Sequence, residues 1–430
     1  METRGAVQTR RVIAAGVIGN VLEWYDFAIY GYFAAQIGRQ FFPHADPVAQ
    51  LLSAFGVFAL GYLVRPVGGA LIGHIGDRWG RRAALTFSVA AMAISTFLIG
   101  LLPGYATVGL AAPVALTLLR MVQGLSVGGE YTSSMVFLVE HAPPGRRGLM
   151  GALAHCGTSF GILLGSAVGA GFAAVMPAAA LDAWGWRIPF LLGLLLGIAG
   201  YFLRRNVLET APAVERRRAP IVETLHDHWR IVLGLAGLAV FYAVNFYVSF
   251  IYLVSWLQTA DGISPAHALE INSLSMALLL PLGIAVGVLT DRFGRKPFLL
   301  LATLAGFVCA VPLFWVLHHS ALLLAQLGQL GFVLIVGIYG SVQPAIMVEA
   351  APPQVRCTAV ALGFNICLGV IGGLTPLAAA WLVARTGDEI VPAFLIMGAA
   401  AVSFVAILSF RETYRAPFAG VGAGAAAART

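Results

Sequence analysis

The chain has 430 residues, 59% of them hydrophobic and only 10% charged, with a mean hydropathy of +0.87. A soluble domain carries about a quarter of its residues as charges, so an ordinary water-soluble globule is excluded. The net charge of +7 does not point to nucleic acid: of 26 Lys and Arg, 21 lie at the N-terminus, in alternate connections and in the tail, which is a topology signal.

Apolar runs of about 20 residues, the length that crosses a bilayer, recur twelve times. They cover approximately 12–36, 49–74, 83–102, 108–138, 148–175, 186–203, 231–258, 266–289, 297–317, 321–347, 357–384 and 391–410. Met1–Arg11 resembles the basic start of a signal peptide. The following run carries Glu23 and Asp26 and no small-residue cleavage site, so it is read as a retained span. The polar stretch 204–230 separates six spans from six. The expected organisation is therefore an all-α integral membrane protein: a six-helix bundle over 1–203, a cytoplasmic linker over 204–230, a second six-helix bundle over 231–411, and a disordered Ala/Gly-rich tail over 412–430. Only Arg39, Arg187 and Arg385 fall on the face opposite the other loop cations, which places both termini in the cytoplasm. No oligomeric interface is legible, and a monomer is the expectation.

In the first span Asn20, Glu23, Asp26 and Tyr30 stand at spacings of three, three and four, on one helix face. That face is too polar for lipid and should line a cavity. A mid-span charge costs roughly 2.5–3.5 kcal/mol on insertion scales, so each is a functional candidate. The fourth span repeats the pattern with Arg120, Gln123, Glu130 and Tyr131. Counting from the span ends, Glu23, Asp26 and Arg120 fall near the midplane, and Glu130 falls at a depth similar to Arg65. Arg120 is expected to meet a solute carboxylate with forked hydrogen bonds. Glu23 or Asp26 is expected to carry a proton, because burial beside a second carboxylate favours the neutral form. Glu130 is a further acid, expected to pair with Arg65. Mutual structural neutralisation of all five charges is the competing reading.

The fifth span has glycines at 157, 161, 165 and 169, a strip along which a partner helix can approach closely, for sliding or for static packing. Gly157-Thr-Ser-Phe-Gly161 matches G-x-S-x-G but lacks the strand–turn–helix context of a hydrolase elbow and is rejected. His155 reads first as a hydrogen-bonded helix histidine and second as part of a proton path. In the seventh span Tyr242, Asn245, Ser249, Tyr252 and Trp256 share a face without a charge. Rings with an amide suit the body of a small metabolite or a quaternary ammonium, although such a stripe also suits plain packing. Asn365 in the eleventh span is a weaker candidate of the same kind. The four cysteines have no metal spacing, and no disulfide or metal site is expected. No phosphate-cradling G-x-x-x-x-G-K-[ST] loop occurs, so neither ATP nor another cofactor is called for, and no catalytic triad marks an enzyme.

The two halves repeat. Gly73-His-Ile-Gly-Asp77-Arg78-Trp-Gly80-Arg81-Arg82 returns as Gly287-Val-Leu-Thr-Asp291-Arg292-Phe-Gly294-Arg295-Lys296, and Glu140-His-Ala-Pro-Pro-Gly-Arg-Arg147 returns as Glu349-Ala-Ala-Pro-Pro-Gln-Val-Arg356. The offsets from Asp77 to Asp291 and from Glu140 to Glu349 are 214 and 209 residues, about half the chain. Repeated halves are a mark of secondary transporters, in which one bundle rocks against the other around a central site. The glycine permits a tight reversal, the aspartate can cap the next helix or pair with an arginine, and such a network can act as a gate. Arg147 is the expected partner of Asp77. Asp291, Glu349 and Arg356 are expected to repeat that arrangement.

G-x-x-x-D-R-x-G-R-[RK] at both positions resembles the signature loop of the major facilitator superfamily. GNVLEWYDFAIYGYFA (19–34), RMVQGLSVGGEYTSS (120–134) and WGWRIPF (184–190) are similar to its metabolite:proton symporter family, and the likeness runs to about Thr413. HADPVAQLL (44–52), FNICLGVIGGLTPLAAAWLV (364–383) and PAFLIM (392–397) look closest to the proline/betaine branch, while the α-ketoglutarate, citrate and shikimate branches share the main motifs. The resemblance implies a symporter that takes up a small carboxylate-bearing solute with protons across a bacterial inner membrane. The osmosensing betaine porter carries a long heptad-bearing C-terminal extension and this chain shows none, so osmotic gating is not expected. Related antiporters carry a proline in the glycine motif of the fifth span. Its absence before Pro177 favours symport over the alternative, proton-coupled efflux. A non-transporting membrane sensor is the third reading.

Overall fold

The computed structural model describes residues 17, 20–42, 46–68, 71, 81–126, 130–204, 220–319 and 321–418. Among them, twelve helical runs occupy the expected places. They are α1 (20–41, interrupted at Phe33), α2 (Pro47–Gly68), α3 (Arg81–Leu101), α4 (Ala111–Glu140), α5 (Arg147–Val175), α6 (Arg187–Arg204), α7 (Trp229–Thr259), α8 (Pro265–Phe293), α9 (Lys296–Leu317), α10 (Leu322–Ala350), α11 (Arg356–Thr386) and α12 (Pro392–Ser409). Nine of these are long and apolar enough to cross a membrane, and the pair Ala178–Gly185 with Arg187–Ala199, bent by 51°, makes a tenth. In α1 the run of apolar residues is broken by the acids Glu23 and Asp26 and by Arg39. That dilution follows from function: the polar face of α1 points at protein rather than lipid.

Helix ends follow local chemistry. Asp46 caps α2 through Val48 N at 2.9 Å with Pro47 next to it, and Ser264 caps α8 with Pro265 in the first turn. Gly294 ends α8 at φ 99°, in the left-handed region a side chain would strain.

Two seams join the first half (α1–α6) to the second (α7–α12): α5 runs along α8, and α2 runs along α11. Among the nine single spans α7 is the most buried, with 67% of its apolar window inside the protein against 33% for α9. The glycine ladder of α5 faces α1 of its own half at Gly157, Gly161 and Gly165, and at Gly169 it also meets Leu269 of α8. A Cβ at Gly161 would stand 2.4 Å from the Val21 carbonyl, and one at Gly157 would stand 3.1 Å from Val17. The cross-half seam uses other glycines: a Cβ at Gly148 would reach 2.8 Å from the Gly287 carbonyl, and one at Gly287 would reach 2.7 Å from Ala152. Three of its four glycines therefore pack inside one bundle. The surface that must slide lies a turn or more away on the same helix.

Candidate functional site

The polar face of α1 is buried, as its spacing demands. Asn20 donates to Ser134 of α4 at 3.1 Å, and Tyr30 donates to the Ala54 carbonyl of α2 at 3.1 Å. Glu23 lies 3.6 Å from Arg65 of α2, and both side chains are 2% exposed. Asp26 sits against α3 and α6, where it meets the Thr96 hydroxyl and where only the missing side chain of Gly193 leaves it room. Arg120 of α4 donates to Gln123 Oε1 at 2.8 Å, and Gln123 donates to Thr96 Oγ1 at 2.6 Å. The Thr96 hydroxyl itself donates to the Met92 carbonyl at 2.9 Å, so the chain from Arg120 through Gln123 and Thr96 ends beside Asp26.

Around these groups the walls are aromatic. The Arg120 guanidinium stands 4.3 Å from the Tyr30 ring centroid and 4.8 Å from that of Phe27. Arg65 stands 4.1 Å over Tyr62 and 4.4 Å over Phe27. The Nε and Nη2 atoms of Arg120 are buried and lack a hydrogen-bond partner among the described residues. Forked donors left over in so dry a place gain from any carboxylate that arrives there.

The second half contributes rings. Tyr247 of α7 donates to the Tyr62 hydroxyl at 2.5 Å across the halves. Phe246 meets Trp24 edge-on at 6.2 Å, Tyr131 meets Trp24 at 6.1 Å and Phe364 of α11 at 5.1 Å, and Tyr242 lies 5.4 Å from Phe246. The Tyr242 hydroxyl is 3.3 Å from His155 Nδ1 of α5.

Several expectations need correction. Arg65 stands beside Glu23, because α2 presents it to α1, a pairing the sequence reading did not assign; the Glu130 side chain, its expected partner, lies outside the described residues. The stripe on α7 is not one continuous face. A π turn over Val248–Tyr252 inserts an extra residue, so the three-four spacing fails beyond it. Asn245 accepts from Ser249 at 2.9 Å, Tyr252 packs against Phe55, and Trp256 donates its indole N–H to the Glu389 carbonyl in the α11–α12 loop. Asn365 is half-buried on α11 beside Phe364. Tyr247, Tyr62, Phe27, Phe58 and Thr96 escaped the sequence reading. Phe58, Tyr62 and Arg65 stand at spacings of four and three on one face of α2, a signal that was available, whereas nothing around Thr96 distinguishes it.

At one end of the bundle the charged motifs meet. Glu349 of α10 receives Arg295 at 3.0 Å and Arg147 at 3.2 Å, and Arg295 also binds Asp291 at 3.0 Å. The two oxygens of Asp291 accept from the Gly148 and Leu149 amides at 2.7 and 3.0 Å, capping the start of α5 in the other half. Arg356 holds Glu140 at 2.5 Å. Arg356 thus meets Glu140 rather than Asp291, and Arg147 meets Glu349, while its expected partner Asp77 lies outside the described residues. Each reaches the glutamate of the opposite half, because α4 and α5 end against α10 and α11 here. Arg292 is exposed. Asp77, Arg78 and Gly80 lie outside the described residues, as does the side chain of Arg81. At the opposite end Asn272 of α8 donates to Tyr32 at 2.9 Å and to Ser166 at 3.1 Å, both of the first half. Both ends are therefore tied across the halves, with the Arg120 group enclosed between them.

Two helical halves tied at both ends around a dry, charged centre define a membrane transporter of the alternating-access kind. Residues 16–370 match the family described as Major Facilitator Superfamily. The proline/betaine transporter of Salmonella typhimurium is 36% identical over 427 residues, covering 96% of this chain and 85% of that protein. The glycine betaine/proline/ectoine/pipecolic acid transporter of Dickeya dadantii matches equally, at 36% over 427 residues and the same coverage. Among solved structures, the proton:xylose symporter XylE bound to 6-bromo-6-deoxy-D-glucose superimposes with a TM-score of 0.75 at 19% identity, covering 95% of this chain and 97% of that chain. The chain belongs to the Major Facilitator Superfamily, within its metabolite:proton symporter-type family, and is a multi-pass membrane transporter rather than an enzyme.

Proposed function

We propose that this protein is a proton-coupled symporter that takes up a small carboxylate-bearing solute, a zwitterion of the proline or betaine type or an organic acid, into a bacterial cell. It acts in the inner membrane with both termini in the cytoplasm, residues 1–203 and 231–411 forming the two bundles that rock about the 204–230 linker. The observation that carries this reading is Arg120, buried with its Nε and Nη2 lacking hydrogen-bond partners among the described residues and joined through Gln123 to Thr96, beside which Asp26 lies. The similarity to proline/betaine transporters supports it.

In this reading the solute carboxylate takes the free fork of Arg120. The Trp24, Tyr131, Phe246 and Phe364 rings suit an alkylated ammonium. Asp26 carries the proton. While charged it draws on Arg120 through the polar chain and competes with the solute. Once neutral it leaves the guanidinium to the incoming carboxylate. Glu23 is committed to Arg65, so its role is structural or in gating. One proton moving inward down 100 mV supplies about 2.3 kcal/mol, enough for roughly fifty-fold accumulation of a zwitterion. The assay is uptake into proteoliposomes under an imposed pH gradient, with proline, betaine, α-ketoglutarate, citrate and shikimate competing against one labelled solute. Accumulation that an uncoupler abolishes supports symport. Gradient-independent equilibration overturns the coupling, and proton-driven export establishes the efflux alternative.

A further inference from the structure

Past α12 the chain turns back over the charged end of the bundle. Lys296 Nζ donates to the Phe410 carbonyl at 2.5 Å, Glu412 accepts from the Arg295 and Lys296 amides at 3.0 and 2.9 Å, and the Thr413 hydroxyl donates to Glu349 at 2.5 Å. These contacts fasten the segment to the second half, from which it comes. Its last residues reach the other half. Arg147 of α5 donates to the Tyr414 carbonyl at 2.8 Å and to that of Ala416 at 3.4 Å, and its guanidinium lies 5.0 Å from the Phe418 ring centroid. Arg356 of α11 lies 4.3 Å from the centroid of that same ring. One phenyl ring therefore serves two guanidiniums, one from each half.

We propose that residues 410–418 form a strap that locks this end of the transporter closed, and that Arg147 must release it before the halves can part. The proposal rests on the reading of the ion network as a gate and adds a component that no charge motif contains. When the halves separate, Arg147 moves with α5 while the strap stays with α9 and α10 through Glu412 and Thr413. The contacts from Arg147 to the two carbonyls and the ring then have to break. Like charges on Arg147 and Arg356 repel, and the negative face of the Phe418 ring offsets that repulsion only while the end is shut. The strap thus biases the population toward the closed end without touching solute.

The test is the distance between spin labels at His141→Cys and Gln354→Cys, exposed positions next to the α4–α5 and α10–α11 connections, in the full chain with the four native cysteines replaced. Phe418→Ala should raise the open-to-closed ratio about five-fold, the size expected for one partly exposed cation–π contact. Deletion of 416–430 should raise it further, and Phe418→Tyr should keep the parent distribution. Arg147→Ala is the reference for the gate itself. If it widens the distances while Phe418→Ala and the deletion do not, the strap is wrong and the gate stands. If none of them widens the distances, the gate reading falls with it. The readout needs no solute, so an error in the solute class leaves it unaffected.

Discussion

Arg120 has the most to gain from a ligand, since its Nε and Nη2 are buried without partners among the described residues while Nη1 is held by Gln123. Lysine keeps the charge but not the fork, so Arg120→Lys should weaken solute binding roughly ten- to hundred-fold, as loss of one charged hydrogen bond worth about 1.5–3 kcal/mol implies. Equilibrium binding of the transported solute checks this. Asp26→Asn should abolish proton-driven accumulation yet retain exchange of labelled for unlabelled solute, because the amide stands for the neutral acid. Accumulation at the parent level would dismiss Asp26 as the carrier. Glu23 makes a different claim. Glu23→Gln leaves Arg65 charged and without its ion-pair partner in a dry site, which should cost about 3–5 kcal/mol. Adding Arg65→Gln should recover part of that loss in the thermal unfolding midpoint.

Among the elements, α5 shows how two glycine sets on one helix divide the work. Gly161→Ala would drive a methyl to within 2.4 Å of the Val21 carbonyl and should destabilise by about 1–3 kcal/mol. At Gly171 a Cβ would meet nothing within 4 Å, so alanine there should be neutral or stabilising by up to about 1 kcal/mol. Equal shifts for the two variants would contradict the packing described. Helix α7 makes the complementary point. Its π turn carries Tyr252 and Trp256 toward Phe55 and the α11–α12 loop, leaving Tyr247 to face Tyr62. Neighbouring Gly372 and Gly373 keep that contact possible, since a Cβ at Gly373 would lie 2.5 Å from Tyr62 Cβ.

For the molecule as a whole, the closed end is a balance of three guanidiniums, Arg147, Arg295 and Arg356, with three carboxylates, Asp291, Glu349 and Glu140, shared between the halves. Arg356→Glu should place two carboxylates together and spread the labelled distances at this end. Combining it with Glu140→Arg should restore closure, because the pair is a direct contact at 2.5 Å. Failure of the swap to recover closure would mean that Glu140 and Arg356 do not meet. The pH response of the loops at the opposite end is separate. Burial raises the Asp261 carboxyl above its ordinary range although His318 lies 2.8 Å away and opposes the shift. A raised folded value means a stability contribution fully present below the ordinary carboxylate range and lost as pH rises through the raised one. Asp261→Asn should therefore flatten the dependence of the unfolding midpoint on pH in that window.

Periodicity and composition were enough to determine the membrane class, the twelve helices, the duplicated plan and the buried face of α1, because hydrophobic spacing acts locally and each span answers to lipid by itself. The repeat likewise located the charged ends at which the halves meet. Which charges pair was decided only in three dimensions. Glu23 stands against Arg65, and Glu140 and Glu349 take arginines from across the halves, since an ion pair depends on which helices stand side by side and not on their order in the chain. The π turn after Tyr247 carries Tyr252 and Trp256 out of the stripe, a change of phase that a fixed helical period cannot express. The strap over the gate is the same case: carbonyls of Tyr414 and Ala416 bind Arg147, and main-chain acceptors carry no side-chain signature to read.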